Sequence, residues 1–208
     1  MSKLLLFSIA SVALAVVAVC WIAGARSRPG EHGRPGSAAK AQSNQANQTN
    51  STVPPAAAED GIAVYFSPNG GCAEAIVHAV DGARECVYVQ AAQFTSAPIA
   101  RALVAAKGRG VDVRVVVDRK KEDDDHSQVD RLLSAGIPTF ADGQHHTAHN
   151  KLMLIDHRVI LTGSFNFTRD ADTENAENLL VIDGKPKLLA AYERNFKEHL
   201  GHSTAFEK

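Results

Sequence analysis

The sequence predicts an α/β domain in which a mixed β-sheet lies between helices. Three observations carry this. Short strand-like runs alternate with helix-patterned segments from Ile62 to Leu200, the order that builds layered α/β folds. The stretch from Val111 to Val117 is continuous enough in valine to be buried on both faces, as a central strand is. Helix starts carry cap and first-turn residues, most clearly Ser96 followed by Pro98.

In chain order, Ile62 to Phe66 is a strand and Pro68-Asn69-Gly70-Gly71 a turn. Cys72 to Ala83 is a helix that sets Ala73, Ile76, Val77 and Val80 inward at helical spacing. Cys86 to Ala91 is a second strand, Pro98 to about Lys107 a helix, and Val111 to Val117 a third strand. Val129 to Ala135 is a short helix and Ile137 to Phe140 a strand. Leu152 to Ile155 then reads as a buried strand, Asp156-His157-Arg158 as a turn and Val159 to Leu161 as the returning strand. Asn178 to Ile182 is another strand. Pro186 opens a closing amphipathic helix that ends near Leu200 and covers the sheet with Leu188, Leu189, Tyr192, Phe196 and Leu200. Cys72 and Cys86 stand at far ends of a helix and turn, ~15 Å or more apart, whereas a disulfide needs Cα atoms within ~7 Å. Both are expected as buried free thiols.

The 208 residues carry 22 Lys and Arg against 23 Asp and Glu, a formal net charge of −1. Over residues 61–208 the balance is 17 to 20. A domain that lives by binding duplex backbone is usually basic, and this one is not. The dense basic run Arg119-Lys120-Lys121 is followed at once by Glu122 to Asp125 and reads as a solvated loop.

Leu4 to Ala25 contain no charged residue, and these 22 residues would span ~33 Å as a helix, enough to cross a bilayer. That length favours an uncleaved anchor over a cleavable signal, whose apolar region is usually ~7–15 residues. Ala23-Gly24-Ala25 nevertheless forms an acceptable cleavage site. Residues 1–26 are therefore a transmembrane anchor or a signal peptide. Residues 27–60, rich in Gly, Pro, Ser, Gln and Asn, are a disordered low-complexity linker. Residues 61–208 are long enough for one domain with a real core. Arg26, Arg28 and Arg34 follow the apolar run, which by the positive-inside rule would keep the domain cytoplasmic.

The chemistry concentrates in two segments, His149-Asn150-Lys151 with Asp156, and Gly163-Ser164-Phe165-Asn166. Side chains alternate along an extended run, so His149 and Lys151 point the same way. The returning strand brings Ser164 and Asn166 back to the end that carries His149. A nucleophilic imidazole with several donors around it suits a phosphate diester, whose displacement needs a nucleophile on phosphorus and fixed donors for the oxygen charge.

His-x-Lys-x4-Asp followed by Gly-Ser-x-Asn resembles the motif of the phospholipase D superfamily, and Glu177 before Asn178 fits that family's downstream acidic residue. From about Ile62 to Leu200 the chain is similar to the small single-motif members, above all the secreted bacterial endonucleases. The resemblance implies a phospholipase D-like fold and a metal-independent phosphodiesterase with no cofactor. It implies catalytic roles for His149, Lys151, Asn166, Glu177 and Ser164, and structural support from Asp156 and Gly163. With a single motif per chain it implies a homodimer sharing one active site, in which one His149 becomes phosphohistidine and the other protonates the leaving oxygen. Glu177 is expected to accept from the His149 ring. The substrate would be DNA or RNA cut without sequence preference, or alternatively a membrane phospholipid such as cardiolipin or phosphatidylcholine. The same resemblance points to an exported, periplasmic location, against the positive-inside reading.

Two other classes are weaker readings: a metal-dependent hydrolase and a non-catalytic membrane scaffold. Asp142, His145, His146 and His149 have spacing a zinc site could use. Consecutive histidines in a loop point in different directions, however, so this segment alone does not supply three ligands. His145 and His146 are expected at the substrate rim or in solvent, and no metal is expected.

Overall fold

The computed structural model describes residues 54–121 and 126–206. The anchor or signal segment and most of the expected linker lie outside these residues, as does the acidic run Glu122 to Asp125. Among the described residues no helix is long and apolar enough to cross a membrane.

The strands are β1 (Ala57–Glu59), β2 (Ile62–Phe66), β3 (Cys86–Ala91), β4 (Asp112–Asp118), β5 (Thr139–Asp142), β6 (Lys151–Ile155), β7 (Val159–Gly163), β8 (Asn178–Asp183) and β9 (Thr204–Ala205). The helices are α1 (Cys72–Gly82), α2 (Ala97–Gly108), α3 (Val129–Ser134), α4 (Arg169–Thr173) and α5 (Pro186–His202). All the strands join one sheet in the order β1-β2-β8-β7-β6-β3-β4-β5-β9. β3, β4 and β5 run parallel, and every other neighbouring pair is antiparallel. The predicted mixed sheet between helices is thus the observed one.

Its two faces carry separate apolar layers. On one, Ile76 and Val80 of α1, Ile99 and Leu103 of α2, and Leu132 of α3 pack on Val87, Val89, Val115 and Val117. On the other, Leu189 and Phe196 of α5 cover Val116, Leu152, Leu154, Ile160 and Ile182, with Phe196 stacked on Tyr88 at 5.1 Å between centroids; Leu188, expected on this face, is exposed instead. Val115, Val116 and Val117 serve both layers in turn, which is why the valine run reads as doubly buried. Ser96 caps α2 by accepting from the Ile99 N–H. Cys72 and Cys86 are buried and free; burial, helped by Asp172, Glu74 and Glu177, pushes the Cys72 thiol up to about 11.

Several boundaries differ from the expectation. The domain does not begin at 61. Ala57, Ala58 and Glu59 pair with Val64, Ala63 and Ile62, closed by Asp60-Gly61 with φ of 49° and 78°. That two-residue turn with both φ positive matches strand twist and suits Asp-Gly. The strand expected at Ile137 to Phe140 forms at Thr139–Asp142, since Pro138 has no N–H for a ladder. The closing helix runs on to His202, and the chain then folds back to pair Thr204 with Ala141.

The β6–β7 hairpin turns through Asp156 and His157, at φ 51° and 50°, with the Arg158 N–H donating to the Ile155 carbonyl at 3.0 Å. Ala91, the last residue of β3, sits opposite Lys151, the first of β6. Gly163 ends β7 opposite Leu179, and Phe66 ends β2 opposite Asn178. One end of the central strands therefore collects both motif segments and Glu177.

Candidate active site

His149 is exposed, two residues before β6. Its neighbours fix it on both sides. The Ala148 N–H donates to Asp118 Oδ2 at 2.9 Å, and the Ala92 N–H donates to the Asn150 carbonyl at 3.0 Å. A short unpaired stretch is thereby held between two strand ends while its imidazole faces solvent.

Lys151 is the buried cation of the site, 8% exposed. Its Nζ donates to the His149 carbonyl at 3.0 Å. Burial pushes its pKa below the ordinary lysine value, and the charge of Glu177 pulls it part of the way back. Glu177 therefore acts electrostatically on Lys151. Among the described residues no hydrogen bond joins Glu177 to the His149 ring, so the expected tautomer-fixing contact is not what the geometry presents.

In the second segment, Phe165 and Phe167 are each 1% exposed. Phe167 meets Phe94 edge-on at 6.3 Å, and its carbonyl accepts from the N–H groups of Thr95 and Ser96 at 3.0 and 2.9 Å. Beside these two anchors, Ser164 stays exposed and Asn166, between them, half-buried. Asn166 Oδ1 is shielded from solvent and has no partner among the described residues. A buried polar atom without a partner is rare in folded proteins, and here it belongs to a carboxamide that can turn either its oxygen or its NH2 to a ligand. The Ser164 hydroxyl oxygen accepts from the Asn178 backbone N–H at 3.1 Å and its Nδ2 at 3.2 Å, which leaves its own hydrogen to donate.

The two support residues act through backbone. Asp156 accepts from the N–H groups of Arg84, Glu85 and Cys86 at 2.9, 2.8 and 3.0 Å, fastening the motif hairpin to the start of β3. Gly163 has φ 154°, and a Cβ there would lie 2.3 Å from the Asn178 carbonyl oxygen.

Three bracing residues were not singled out from the sequence. Ser67 donates to the Asn175 carbonyl at 2.9 Å and accepts from the Glu177 N–H at 3.1 Å. Asn178 braces Ser164, and Asp118 holds the peptide before His149. Their partners lie 14 to 110 residues away, a separation no local pattern reveals. Asp142 and His145 do not join His149; they meet His199 and His202 instead. His146 is exposed, with Lys120 Nζ donating to its carbonyl.

The family model of the phospholipase D-like domain of cardiolipin synthase matches residues 76–200. A phospholipase D of Rickettsia conorii is 38% identical over 135 residues, 65% of this chain and 67% of that protein. A mitochondrial cardiolipin hydrolase of Xenopus tropicalis is 35% identical over 112 residues, 54% of this chain and 51% of that protein. The crystal structure of Nuc, a phospholipase D family member from Salmonella typhimurium, superposes with a TM-score of 0.68 at 33% identity, covering 71% of this chain and 98% of that one.

Proposed function

This chain belongs to the phospholipase D superfamily of phosphodiesterases, and from that premise we propose that it is an endonuclease acting on single-stranded or relaxed nucleic acid without sequence preference. The observation that carries the catalytic part is the gathering of His149, Lys151, Ser164, Asn166 and Glu177 at one end of the central strands, with the motif imidazole of His149 exposed. In-line displacement needs a nucleophile on one side of phosphorus and an acid on the other. Two chains related by a two-fold axis supply both.

In this reading His149 attacks phosphorus and forms a phosphohistidine as the P–O bond to the leaving group breaks. The partner subunit's His149 gives its proton to the departing oxygen. It then takes a proton from the water that attacks phosphorus, releasing a phosphate monoester and restoring the first imidazole. Lys151 and Asn166, with the Ser164 hydroxyl, hold the phosphate oxygens whose charge must be met in the transition state. Glu177 keeps the buried Lys151 protonated.

The choice of nucleic acid rests on the surface. Among the described residues the exposed large hydrophobics are Ile62, Phe66 and Leu188, too few to make a broad apolar surface fit to enter a bilayer. A diester that arrives by diffusion fits that surface better than one embedded in lipid. The second reading is phospholipid hydrolysis, in line with the names of the phospholipase D and cardiolipin hydrolase relatives. Incubation with single-stranded DNA, RNA, and vesicles of cardiolipin or phosphatidylcholine, with no divalent cation added, separates the two. Nicking of nucleic acid that weakens steeply with salt is expected. Rapid vesicle hydrolysis without cleavage of DNA or RNA at low salt would replace it with the phospholipase reading. The uncharged run from Leu4 to Ala25 supports an exported or membrane-attached enzyme, which cell fractionation tests.

A further inference from the structure

Asp142 ends β5 with no side-chain surface exposed, and three imidazoles converge on its carboxylate. His145 Nδ1 lies 3.4 Å from Oδ1, His199 Nδ1 2.6 Å from Oδ2, and His202 Nε2 3.2 Å from Oδ2. One potential ligand atom from each residue falls within 4.8 Å of all the others. The rings crowd together with centroids 4.9, 5.2 and 5.3 Å apart. His202 Nε2 is shut away from solvent and makes no well-formed hydrogen bond.

We propose that Asp142, His145, His199 and His202 bind one zinc ion at a structural site separate from the phosphodiester chemistry. Three imidazole nitrogens and one carboxylate oxygen form the borderline donor set that zinc takes, and four protein donors close a tetrahedron with no position left for substrate or water. Zinc–ligand bonds of ~2.0–2.1 Å set donor-to-donor edges of roughly 3.3 Å, so the present spacing needs only small side-chain adjustment. The ion gives the three rings and the carboxylate one shared partner, and it engages the buried His202 nitrogen that makes no well-formed hydrogen bond.

The placement gives the ion a role. It clips the last turn of α5, with His199 and His202 one turn apart, to the end of β5. It also fixes the start of the Gly143 to Ala148 loop, whose other end Asp118 holds through the Ala148 N–H. His149 is the next residue. Zinc thus steadies the support of the nucleophile without touching the phosphate.

The test uses the full chain purified without a histidine tag. Elemental analysis after dialysis should give one zinc per chain. Protein stripped of metal should melt at a lower temperature, and zinc at ~100-fold above Kd should raise the midpoint by about 5–10 °C. Cobalt(II) in place of zinc should give the intense visible bands of a tetrahedral centre. His202→Gln should abolish zinc uptake, whereas His149→Ala should keep it in full, which separates this site from the catalytic one. Stripped wild-type protein that takes up no zinc and shows no change in melting overturns the proposal, as does the faint colour of six-coordinate cobalt or undiminished zinc content in His202→Gln.

Discussion

Lys151 Nζ donates to the carbonyl oxygen of His149 across 3.0 Å, so the buried ammonium and the peptide of the proposed nucleophile form one unit. The charge of that ammonium is sensitive to pH, because burial lowers its pKa and only Glu177 opposes the shift. Activity that needs the ammonium is full below the folded pKa and is lost as pH rises through it. The Lys151 ammonium is therefore expected to titrate below the ordinary lysine value of ~10.4. Glu177→Gln removes the charge that favours the ammonium and should move that titration to still lower pH. An NMR titration of the Lys151 side chain whose midpoint stays put in Glu177→Gln refutes the electrostatic role.

His149→Ala should abolish turnover while leaving the melting temperature close to wild type, because the imidazole is exposed. Lys151→Ala and Asn166→Ala each remove donors to charge that grows in the transition state, on the scale of ~2.7–4 kcal/mol or about 10²–10³ in kcat. Steady-state kinetics on a single-stranded oligonucleotide reads both. A folded His149→Ala protein that kept more than a few per cent of wild-type turnover would remove His149 from the nucleophile's place.

Local signals made most of the core legible. Valine density located β4, Ser96 and Pro98 located α2, and the fixed spacing of His149, Lys151, Ser164 and Asn166 located the motif strands. The Asp60-Gly61 turn is equally readable, but it follows a low-complexity Pro-Ala run whose partner strand comes after it. Without apolar periodicity the Pro-Ala run before the turn reads as linker, although it forms β1. Ser67, Asp118 and the α5 histidines were illegible for another reason: their meaning comes from partners far along the chain. His199 and His202 read as helix-surface residues until α5 is laid across the sheet, and only then does the loop histidine His145 acquire two companions.

Asp156 should make stability acid-sensitive. Burial alone would raise its carboxyl, but the N–H groups of Glu85, Arg84 and Cys86, with the nearby His157, hold it below the ordinary carboxylate value. A depressed folded pKa gives stability that is full above the unfolded value of ~3.9 and is lost as pH falls through the folded one. Asp156→Asn should therefore destabilise by roughly 1.5–3 kcal/mol at neutral pH, the scale of hydrogen bonds to a charged group. The gap to wild type should narrow on acidification. Denaturant unfolding at several pH values checks this, and a gap independent of pH sinks it.

Gly163→Ala tests the close approach of β7 to β8. The added Cβ would meet the Asn178 carbonyl oxygen at 2.3 Å, and that carbonyl also accepts from the N–H groups of Ser164 and Phe165 at 3.1 and 3.2 Å. Relief of the clash must displace these bonds, so a loss of about 1–3 kcal/mol is expected, together with reduced kcat as Ser164 and Asn166 move. A variant as stable and as active as wild type would show that the strand ends can separate freely.

The proposed shared-site dimer makes a prediction that does not depend on which diester is cut. Under that proposal each active pair needs two intact imidazoles, so a wild-type chain paired with a His149→Ala chain should be inactive. After subunit exchange in an equal mixture, random pairing leaves about one quarter of the pairs fully wild type. Total activity should then be half that of the same wild-type protein unmixed. Sites complete within one chain would instead leave the wild-type activity untouched by the added variant. Light scattering at assay concentration gives the independent reading, because a fully active monomer would place both the nucleophile and the acid in a single chain.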